Sequence, residues 1–224
     1  MPEPTSPGTG ASAERHAAPV LFDYWRSSAS YRVRIALNLA GIAHEVVTVD
    51  LLAGAHRQAA HVARNPQGLV PVLDIDGRRF TQSLAIVEYL DETRGLGLLP
   101  EAPAERAAVR AIAHSLAVDV HPVCNLSVVA RATGGEEPAR SAWMRHYIEP
   151  GLRAFETLLA GTGGGPFCTG RQPSLADVCL IPQLYNADRW GADYADCERI
   201  RAAATACAGH PAFADARPDA VEPA

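Results

Sequence analysis

The stretch NPQGLVPVLDIDGRRFTQSLAIVEYLDE, residues 65–92, contains a strand, a tight turn, a second strand and an amphipathic helix. An apolar run over residues 70–75 ends at Asp76-Gly77, a dipeptide that favours a two-residue hairpin turn. Pro71 lies near the start of this run, where a missing N–H is tolerated and leaves the neighbouring backbone partly unpaired. The helix that follows is indicated by apolar residues at helical spacing, at Leu84, Val87 and Leu90.

The same stretch has the features of a binding site for a short peptide. Ser83 is predicted as the N-cap of the helix, and unsatisfied N–H groups at a helix start bind anions. The unpaired backbone beside Pro71 suits an extended peptide. A peptide that carries a free carboxylate would use both features, and glutathione is such a peptide.

Composition excludes several classes of function. The chain has 224 residues, which suits one large or two small domains, and a net charge of −5 without a Lys/Arg-rich block. We therefore expect no nucleic-acid partner. No apolar stretch approaches the roughly 18 residues that span a bilayer, so we expect no membrane partner either. Five cysteines without a C-x-x-C pair favour a cytoplasmic location and disfavour a disulfide framework or structural zinc site.

Hydrophobic periodicity divides the chain into two domains. Residues 19–94 alternate as β-α-β-α-β-β-α, an α/β pattern that resembles a thioredoxin-like domain. A Gly/Pro-rich connector, residues 95–103, separates it from an all-helical domain over residues 104–214. Residues 1–18 are predicted to be a disordered tail, and residues 215–224 a second tail.

Within these domains the pattern predicts individual elements. The first strand and helix are expected over 20–25 and 30–40, and the second pair over 45–49 and 55–63. In the second domain we expect a long helix over 105–131 kinked at Pro122, and another over 138–159. Ser174 and Asp177 form a capping box before an apolar, centrally buried helix, so Asp177 is assigned a structural role and not that of an acid.

The turn between the first strand and the first helix carries Ser27, Ser28 and Ser30, where redox-active thioredoxin-like proteins carry a cysteine pair. A serine hydroxyl can donate a hydrogen bond to a thiolate. Lowering a thiol pKa of about 8.5 by two units needs about 2.7 kcal/mol. One charge-assisted hydrogen bond (about 1.5–3 kcal/mol) and the helix dipole (about 0.3–1 kcal/mol) supply this. The alternative is that the serines only cap the helix.

The motifs SSASYRVRIAL, NPQGLVPVL, QSLAIVEYLDE, HPVCNLS, SLADVCLIPQ and NADRW, in this order, resemble the zeta class of glutathione transferases over about residues 20–213. This class includes isomerases of maleylacetoacetate and maleylpyruvate. The resemblance implies a thioredoxin-like domain followed by an all-α domain, the glutathione transferase fold, and usually a homodimer. It also implies glutathione as the cofactor for cis–trans isomerisation of maleyl-type dicarboxylates in aromatic catabolism.

The resemblance also implies the site residues. Ser27, with Ser28 beside it, matches the catalytic serine of the family. Ala29 stands where the family has cysteine or threonine, which affects the expected rate and substrate choice, and His56 and Cys124 replace expected amides. The positions that contact glutathione match Ser27, Ser28, Ala29, Ser30, Tyr31, Arg32, His56, Val70, Gln82, Ser83, His121, Asn125, Leu126 and Ser127.

Cationic residues are the candidates for binding carboxylates. Arg189 matches a family arginine that binds the substrate carboxylate, and Arg26 and Arg32 are weaker candidates for this work. A guanidinium suits a carboxylate because it binds in a bidentate fork. The segment 51–73 contains four basic residues and no acidic residue. Such a positive loop suits the glycine carboxylate of glutathione. The alternative is that these residues form a solvated helix face. The four are His56, Arg57, His61 and Arg64.

His121 and Asn125 lie four residues apart, so both can face one cleft, although a satisfied core histidine is the alternative. The expected function is a glutathione-dependent isomerase of small dicarboxylates. One alternative is a glutathione transferase that conjugates or dehalogenates small α-halo acids. The other is a catalytically weak glutathione-binding or scaffold protein, for which Ala29 is the motivating residue.

Overall fold

A computed structural model describes residues 18–223, so the predicted N-terminal tail lies outside the described residues except for its last position. The sheet has the order β2-β1-β3-β4, with β1 and β2 parallel and β3 antiparallel to both β1 and β4. This confirms the predicted β-α-β-α-β-β-α pattern. The elements are β1 (Val20–Asp23), α1 (Ser28–Leu39), β2 (Glu45–Thr48), a 3-10 turn (Ala55–Arg57), α2 (Ala59–Val62), β3 (Val72–Ile75), β4 (Arg78–Thr81) and α3 (Ser83–Arg94).

The hairpin forms where the sequence predicts it. Asp76 and Gly77 have φ angles of 53° and 70°, the left-handed conformation that a two-residue turn between twisted strands requires. Strand β3 lies in the middle of the sheet, and its residues Val72 and Leu73 are fully buried. The hairpin therefore fixes the position of residues 68–71, which enter β3, relative to the start of α3.

The second half of the chain is helical, as predicted, but the long helix over 105–131 is wrong. Helix α4 already ends at Ala117, and Pro122 begins a separate 3-10 turn. The proline ring would clash with the carbonyl of Val118 in a continuous helix, so the chain breaks instead of bending. The elements are α4 (Pro103–Ala117), a 3-10 turn (Pro122–Cys124), α5 (Leu126–Thr133), α6 (Ala139–Leu159), α7 (Leu175–Trp190), α8 (Glu198–Ala208), α9 (Pro211–Ala214) and α10 (Pro218–Val221).

Helix α7 is the buried central helix, as predicted. The Asp177 carboxylate accepts hydrogen bonds from the backbone N–H groups of Ser174 and Cys168, at 2.8 and 2.9 Å, and from the Ser174 hydroxyl. The carboxylate is fully buried, and the structural role predicted for it is confirmed. Helix α7 packs against α1 and α4, so one hydrophobic core joins the two halves of the chain.

The segment expected to be a C-terminal tail packs against the first half of the chain instead. The backbone carbonyl of Ala216 accepts a 3.0 Å hydrogen bond from Nε of Arg34, and Ala216 is buried. The same guanidinium forms a 2.7 Å ion pair with Asp23. This contact could not be predicted from the segment itself, because its partner lies in α1.

Within residues 18–223, no single helix is long and apolar enough to cross a membrane. The bent pair Pro103–Cys124 and Leu126–Thr133 passes the same test by length and composition alone. No three His, Cys, Asp or Glu side chains in this part of the chain are grouped so that they could hold a metal ion.

Candidate active site

A cavity of about 740 Å³ lies between the two halves of the chain. Its wall is formed by the starts of α1 and α3, the loops before them, the break between α4 and α5, and the end of α7. Five arginines line it, and no Asp or Glu of the described residues does. The summed charge therefore favours anionic ligands. The arginines are Arg26, Arg32, Arg57, Arg140 and Arg189.

Fourteen of the sequence-predicted site residues line this cavity and two do not. Ser30 is fully buried, and Tyr31 donates a hydrogen bond through its hydroxyl to the carbonyl of Phe213, on the far side of α1. These two residues therefore support α1 from behind. Those at the cavity are Arg26, Ser27, Ser28, Ala29, Arg32, His56, Val70, Gln82, Ser83, His121, Asn125, Leu126, Ser127 and Arg189.

The start of α3 presents unpaired N–H groups to the cavity, but its cap differs from the one that the sequence predicts. Gln82, not Ser83, is the N-cap, and its side chain donates to Gln67 instead of capping the helix. The N–H groups of Ser83 and Leu84, both in the cavity wall, make no hydrogen bond with the described residues. Gln82 has a φ of 67°, an uncommon conformation for a residue with a side chain. Uncapped N–H groups at a helix start attract an anion.

A buried cation stands beside these N–H groups. Nη1 of Arg32 donates a 3.1 Å hydrogen bond to the Ser83 hydroxyl, while its Nε and Nη2 atoms have no partner among the described residues. No carboxylate within residues 18–223 pairs with it. Burial lowers the pKa of Arg32 below its ordinary value, although an arginine remains charged. An anion at the start of α3 would supply the missing counter-ion.

Unpaired backbone next to Pro71 extends the site. The N–H and C=O groups of Val70 form no hydrogen bond with other described residues, and Val70 lies in the cavity wall. Gly68 has a φ of 62°, and a Cβ there would lie 3.2 Å from the His56 carbonyl oxygen. Glycine at this position therefore lets the loop that carries His56 and Arg57 approach the same end of the cavity.

Two of the other basic residues of this loop do not belong to the cavity. His61 is buried, with its Nε2 at 3.0 Å from the Leu69 carbonyl oxygen, and the Arg64 guanidinium lies over the Phe22 ring. Of the four basic residues predicted over 51–73, only His56 and Arg57 thus line the cavity. Burial and the charge of Arg57 lower the pKa of His56.

Ser27 is the N-cap of α1, because its Oγ accepts a 3.2 Å hydrogen bond from the N–H of Ser30. The Ser27 hydroxyl proton is not used in this contact and can be donated into the cavity. The Ser28 hydroxyl donates instead to the carbonyl of Pro182 in α7, at 3.4 Å. The N–H groups of Ser28 and Ala29 have no partner among the described residues. The first turn of α1 therefore offers one hydroxyl and two backbone donors to a thiolate.

The break between α4 and α5 supplies another part of the wall. His121 and Asn125 flank the 3-10 turn and both line the cavity, although they do not lie on one helix as the sequence predicts. Burial and the charge of Arg32 lower the pKa of His121 to about 3, so its imidazole is neutral near pH 7. Burial raises the pKa of the Cys124 thiol to about 12, so this thiol is protonated.

Several arginine side chains lie near the end of α7, and the sequence predicts only some of them as site residues. The guanidinium of Arg189 lies 5.0 Å from the Trp190 ring centroid, and that of Arg140, from α6, lies 5.2 Å from the same centroid. On the opposite wall, Arg26 donates a 3.2 Å hydrogen bond to the Tyr24 hydroxyl. Arg140 and Tyr24 were not predicted. Arg140 and Met144 lie one helical turn apart, and both line the cavity. In the sequence, this spacing is only a weak indication that they belong to the site.

Comparison with known proteins decides the family. Residues 19–92 match the N-terminal domain of glutathione S-transferases and residues 137–215 match their C-terminal domain. The chain is 59% identical over 208 residues to maleylacetoacetate isomerase of Rhizobium meliloti strain 1021, covering 91% of this chain and 98% of the relative. The chain belongs to the zeta class of the glutathione transferase family.

Two solved structures support this placement. A bacterial maleyl pyruvate isomerase of this class, in its holo form, is 38% identical with a TM-score of 0.86, covering 91% of this chain and 98% of that one. A maleylacetoacetate isomerase from Methylobacterium extorquens AM1, with bound malonate and glutathione, is 40% identical with a TM-score of 0.85. That match covers 92% of this chain and 100% of the other.

The residues of this glutathione transferase fit the cofactor that the family uses. Glutathione has two carboxylates and a thiol, and the cavity offers a donor group for each. The buried Arg32 and the start of α3 suit one carboxylate, the loop with His56 and Arg57 suits the other, and the first turn of α1 suits the thiolate. The unpaired backbone of Val70 lies in the same wall and suits the peptide between the two carboxylates.

Proposed function

We propose that this zeta-class glutathione transferase uses glutathione to isomerise a maleyl-type dicarboxylate, maleylacetoacetate or maleylpyruvate, to its fumaryl product. One observation carries the proposal. The cavity combines donors for glutathione with several further arginines, and no carboxylate side chain of the described residues lines it. A second anionic ligand can therefore bind beside the first without repulsion from the protein. The names of the relatives given above support the same substrate class.

For glutathione, we assign the γ-glutamyl carboxylate to the start of α3. There it would accept hydrogen bonds from the backbone N–H and the hydroxyl of Ser83, and it would balance the charge of Arg32. Gln82 would contact the same end. The free N–H and C=O of Val70 would pair with the cysteinyl backbone, and His56 and Arg57 would lie near the glycine carboxylate.

When bound, glutathione supplies a thiolate that adds to the cis double bond and leaves again after rotation about the single bond thus formed. Ser27 would stabilise this thiolate by donating its hydroxyl proton, supported by the positive end of the α1 dipole. Ser28 is the lesser candidate, because its hydroxyl already donates to Pro182. No side chain is needed as an acid or base near neutral pH, which agrees with a neutral His121 and a protonated Cys124.

For the substrate, we assign the carboxylate next to the double bond to Arg26 and Arg189. Arg26 directly precedes Ser27 in the chain, and both residues line the cavity. Nε of Arg26 is buried and has no partner among the described residues. These guanidinium groups would also stabilise the negative charge that develops on the substrate carbonyl oxygen as the thiolate adds.

The test measures conversion of maleylacetoacetate and maleylpyruvate to their trans products by the purified protein, with and without glutathione. We expect catalysis to require glutathione and to regenerate it in each turnover, so that a small amount of the tripeptide supports many turnovers. Stoichiometric loss of glutathione, or halide release from an α-halo acid without any isomerisation, would overturn the proposal in favour of a conjugating or dehalogenating transferase. Glutathione binding without either reaction would indicate a scaffold.

We also propose that the chain acts as a cytoplasmic homodimer, as the family resemblance implies. The five cysteines are buried, unpaired thiols, which supports a reducing compartment. Light scattering during size-exclusion chromatography measures the mass directly. A mass of one chain at micromolar concentration would exclude the dimer.

A further inference from the structure

The guanidinium of Arg140, a residue of the cavity wall, is held by an aromatic ring. Arg140 lies in the first turn of α6, on the helical domain, and its guanidinium is 5.2 Å from the Trp190 ring centroid. The indole is itself fixed, since its Nε1 donates a 3.1 Å hydrogen bond to the side chain of Asn186. A cation over an indole face is held in place without losing its capacity to donate hydrogen bonds. Arg140 is therefore oriented by an aromatic ring and not by an acid.

The second observation is that the Arg140 guanidinium has no direct partner, although its charge acts on the exposed Glu137 three residues earlier. Its guanidinium forms no ion pair or hydrogen bond with any side chain within residues 18–223, although most arginines outside the cavity pair with an acid or a carbonyl. Like charges face it instead, because Arg189 lies 5.0 Å from the same ring centroid. Burial, then Arg26, and more weakly Arg140 lower the pKa of Arg189, so the cationic groups of the two walls interact. The guanidinium groups of Arg26, Arg140 and Arg189 therefore repel one another until an anion binds.

These cations belong to different elements of the cavity wall. Arg26 adjoins the serine turn where the thiolate is proposed to lie, whereas Arg140 lies in the first turn of α6 and Arg189 in the last turn of α7. A dicarboxylate whose near carboxylate lies at Arg26 and Arg189 would extend its other end towards Arg140. We propose that Arg140, held against Trp190, binds the far carboxylate of the substrate and makes the enzyme select diacids over monoacids. This inference rests on the proposed isomerase function.

The test compares two substrates that differ only at the far end. Maleylacetone lacks the terminal carboxylate of maleylacetoacetate but keeps the maleyl double bond and its adjoining carboxylate. Arg140→Gln should lower kcat/KM for maleylacetoacetate about 10- to 30-fold and change that for maleylacetone by less than about two-fold, because one charge-assisted contact is lost only with the diacid. Arg131→Gln, an exposed arginine of α5 outside the cavity, removes the same charge and should leave both values unchanged.

A binding measurement separates this inference from the proposed reaction. The glutathione-saturated protein is titrated with the saturated analogues of both compounds, which have no double bond to isomerise. A preference for the diacid that Arg140→Gln abolishes supports the subsite even if the wild-type protein isomerises neither substrate. Equal losses for diacid and monoacid, or no loss for the diacid, would overturn it in either assay.

Discussion

The Ser83 hydroxyl accepts a hydrogen bond from the buried guanidinium of Arg32, at 3.1 Å. This contact joins α3 to α1 at the floor of the cavity. Because the hydroxyl oxygen accepts from Arg32, its own proton is left to donate to a ligand. The pair therefore presents a cation and a hydroxyl donor at a helix start whose N–H groups are unpaired.

Replacing Ser83 with alanine should weaken glutathione binding by about 1 kcal/mol or more, since one hydrogen bond to a carboxylate is lost. Calorimetric titration of the purified protein measures this. Ser115→Ala is the matched control, because the Ser115 hydroxyl bonds to the Ile112 carbonyl within α4, outside the cavity. Equal affinities in wild type and Ser83→Ala would contradict the assignment of the γ-glutamyl carboxylate to this position.

Ser27→Ala should raise the pKa of the bound glutathione thiol by about one to two units, the effect of one charge-assisted hydrogen bond. The ultraviolet absorbance of the thiolate, followed against pH, measures this pKa. Activity should fall most near neutral pH and recover partly at alkaline pH, where the thiolate forms without help. Ala29→Cys should alter the rate or substrate preference of a competent isomerase and leave a scaffold inactive.

Ser28→Ala is the comparison for that experiment. It removes a hydroxyl from the same turn, but one that donates to Pro182, so the thiol pKa should change less. Ser27 is also a helix N-cap, and its loss should cost about 0.5–2 kcal/mol of stability. Urea unfolding measures this loss of folding stability separately. A thiol pKa that moves only in Ser28→Ala would transfer the catalytic role to that residue.

Arg189→Ala should reduce kcat/KM for a maleyl substrate by about 2–4 kcal/mol in transition-state free energy, because a partly buried cation that faces the substrate carboxylate is lost. Glutathione affinity should stay the same, since Arg189 lies on the helical wall, away from the start of α3. Steady-state kinetics and calorimetry on one protein preparation give both values. Loss of glutathione affinity with unaltered substrate kinetics would reverse the two roles.

His121 should make the protein less stable in acid. Its folded-state pKa of about 3 lies below the unfolded value of about 6.5, so on acidification the unfolded chain binds the proton first. The stabilisation is complete above about pH 6.5 and is lost as the pH falls towards 3. Between pH 7 and 5 this amounts to up to about 2 kcal/mol. Urea unfolding at both pH values should show a smaller difference for His121→Gln, and an equal difference would contradict the prediction.

Local chemistry made much of the fold predictable. Asp76-Gly77 favours one turn geometry, and the capping box of Ser174 and Asp177 requires only four consecutive residues. Pro122, in contrast, predicted only a kink in a continuous helix, whereas α4 ends at Ala117. That outcome depends on what packs beside the break, because the broken chain must satisfy its backbone groups through new contacts.

The sequence by itself determined the element order, the serine turn at Ser27 and the polar start of α3, because these depend on residues a few positions apart. Only the tertiary structure decided what the side chains do there. The Ser83 hydroxyl, predicted to cap its own helix, bonds to Arg32, which lies 51 positions earlier in the chain. Arg140 and Trp190 likewise meet only when α6 and α7 pack. A buried charged side chain pairs with groups that lie close to it only in the folded chain. No local sequence pattern contains that information.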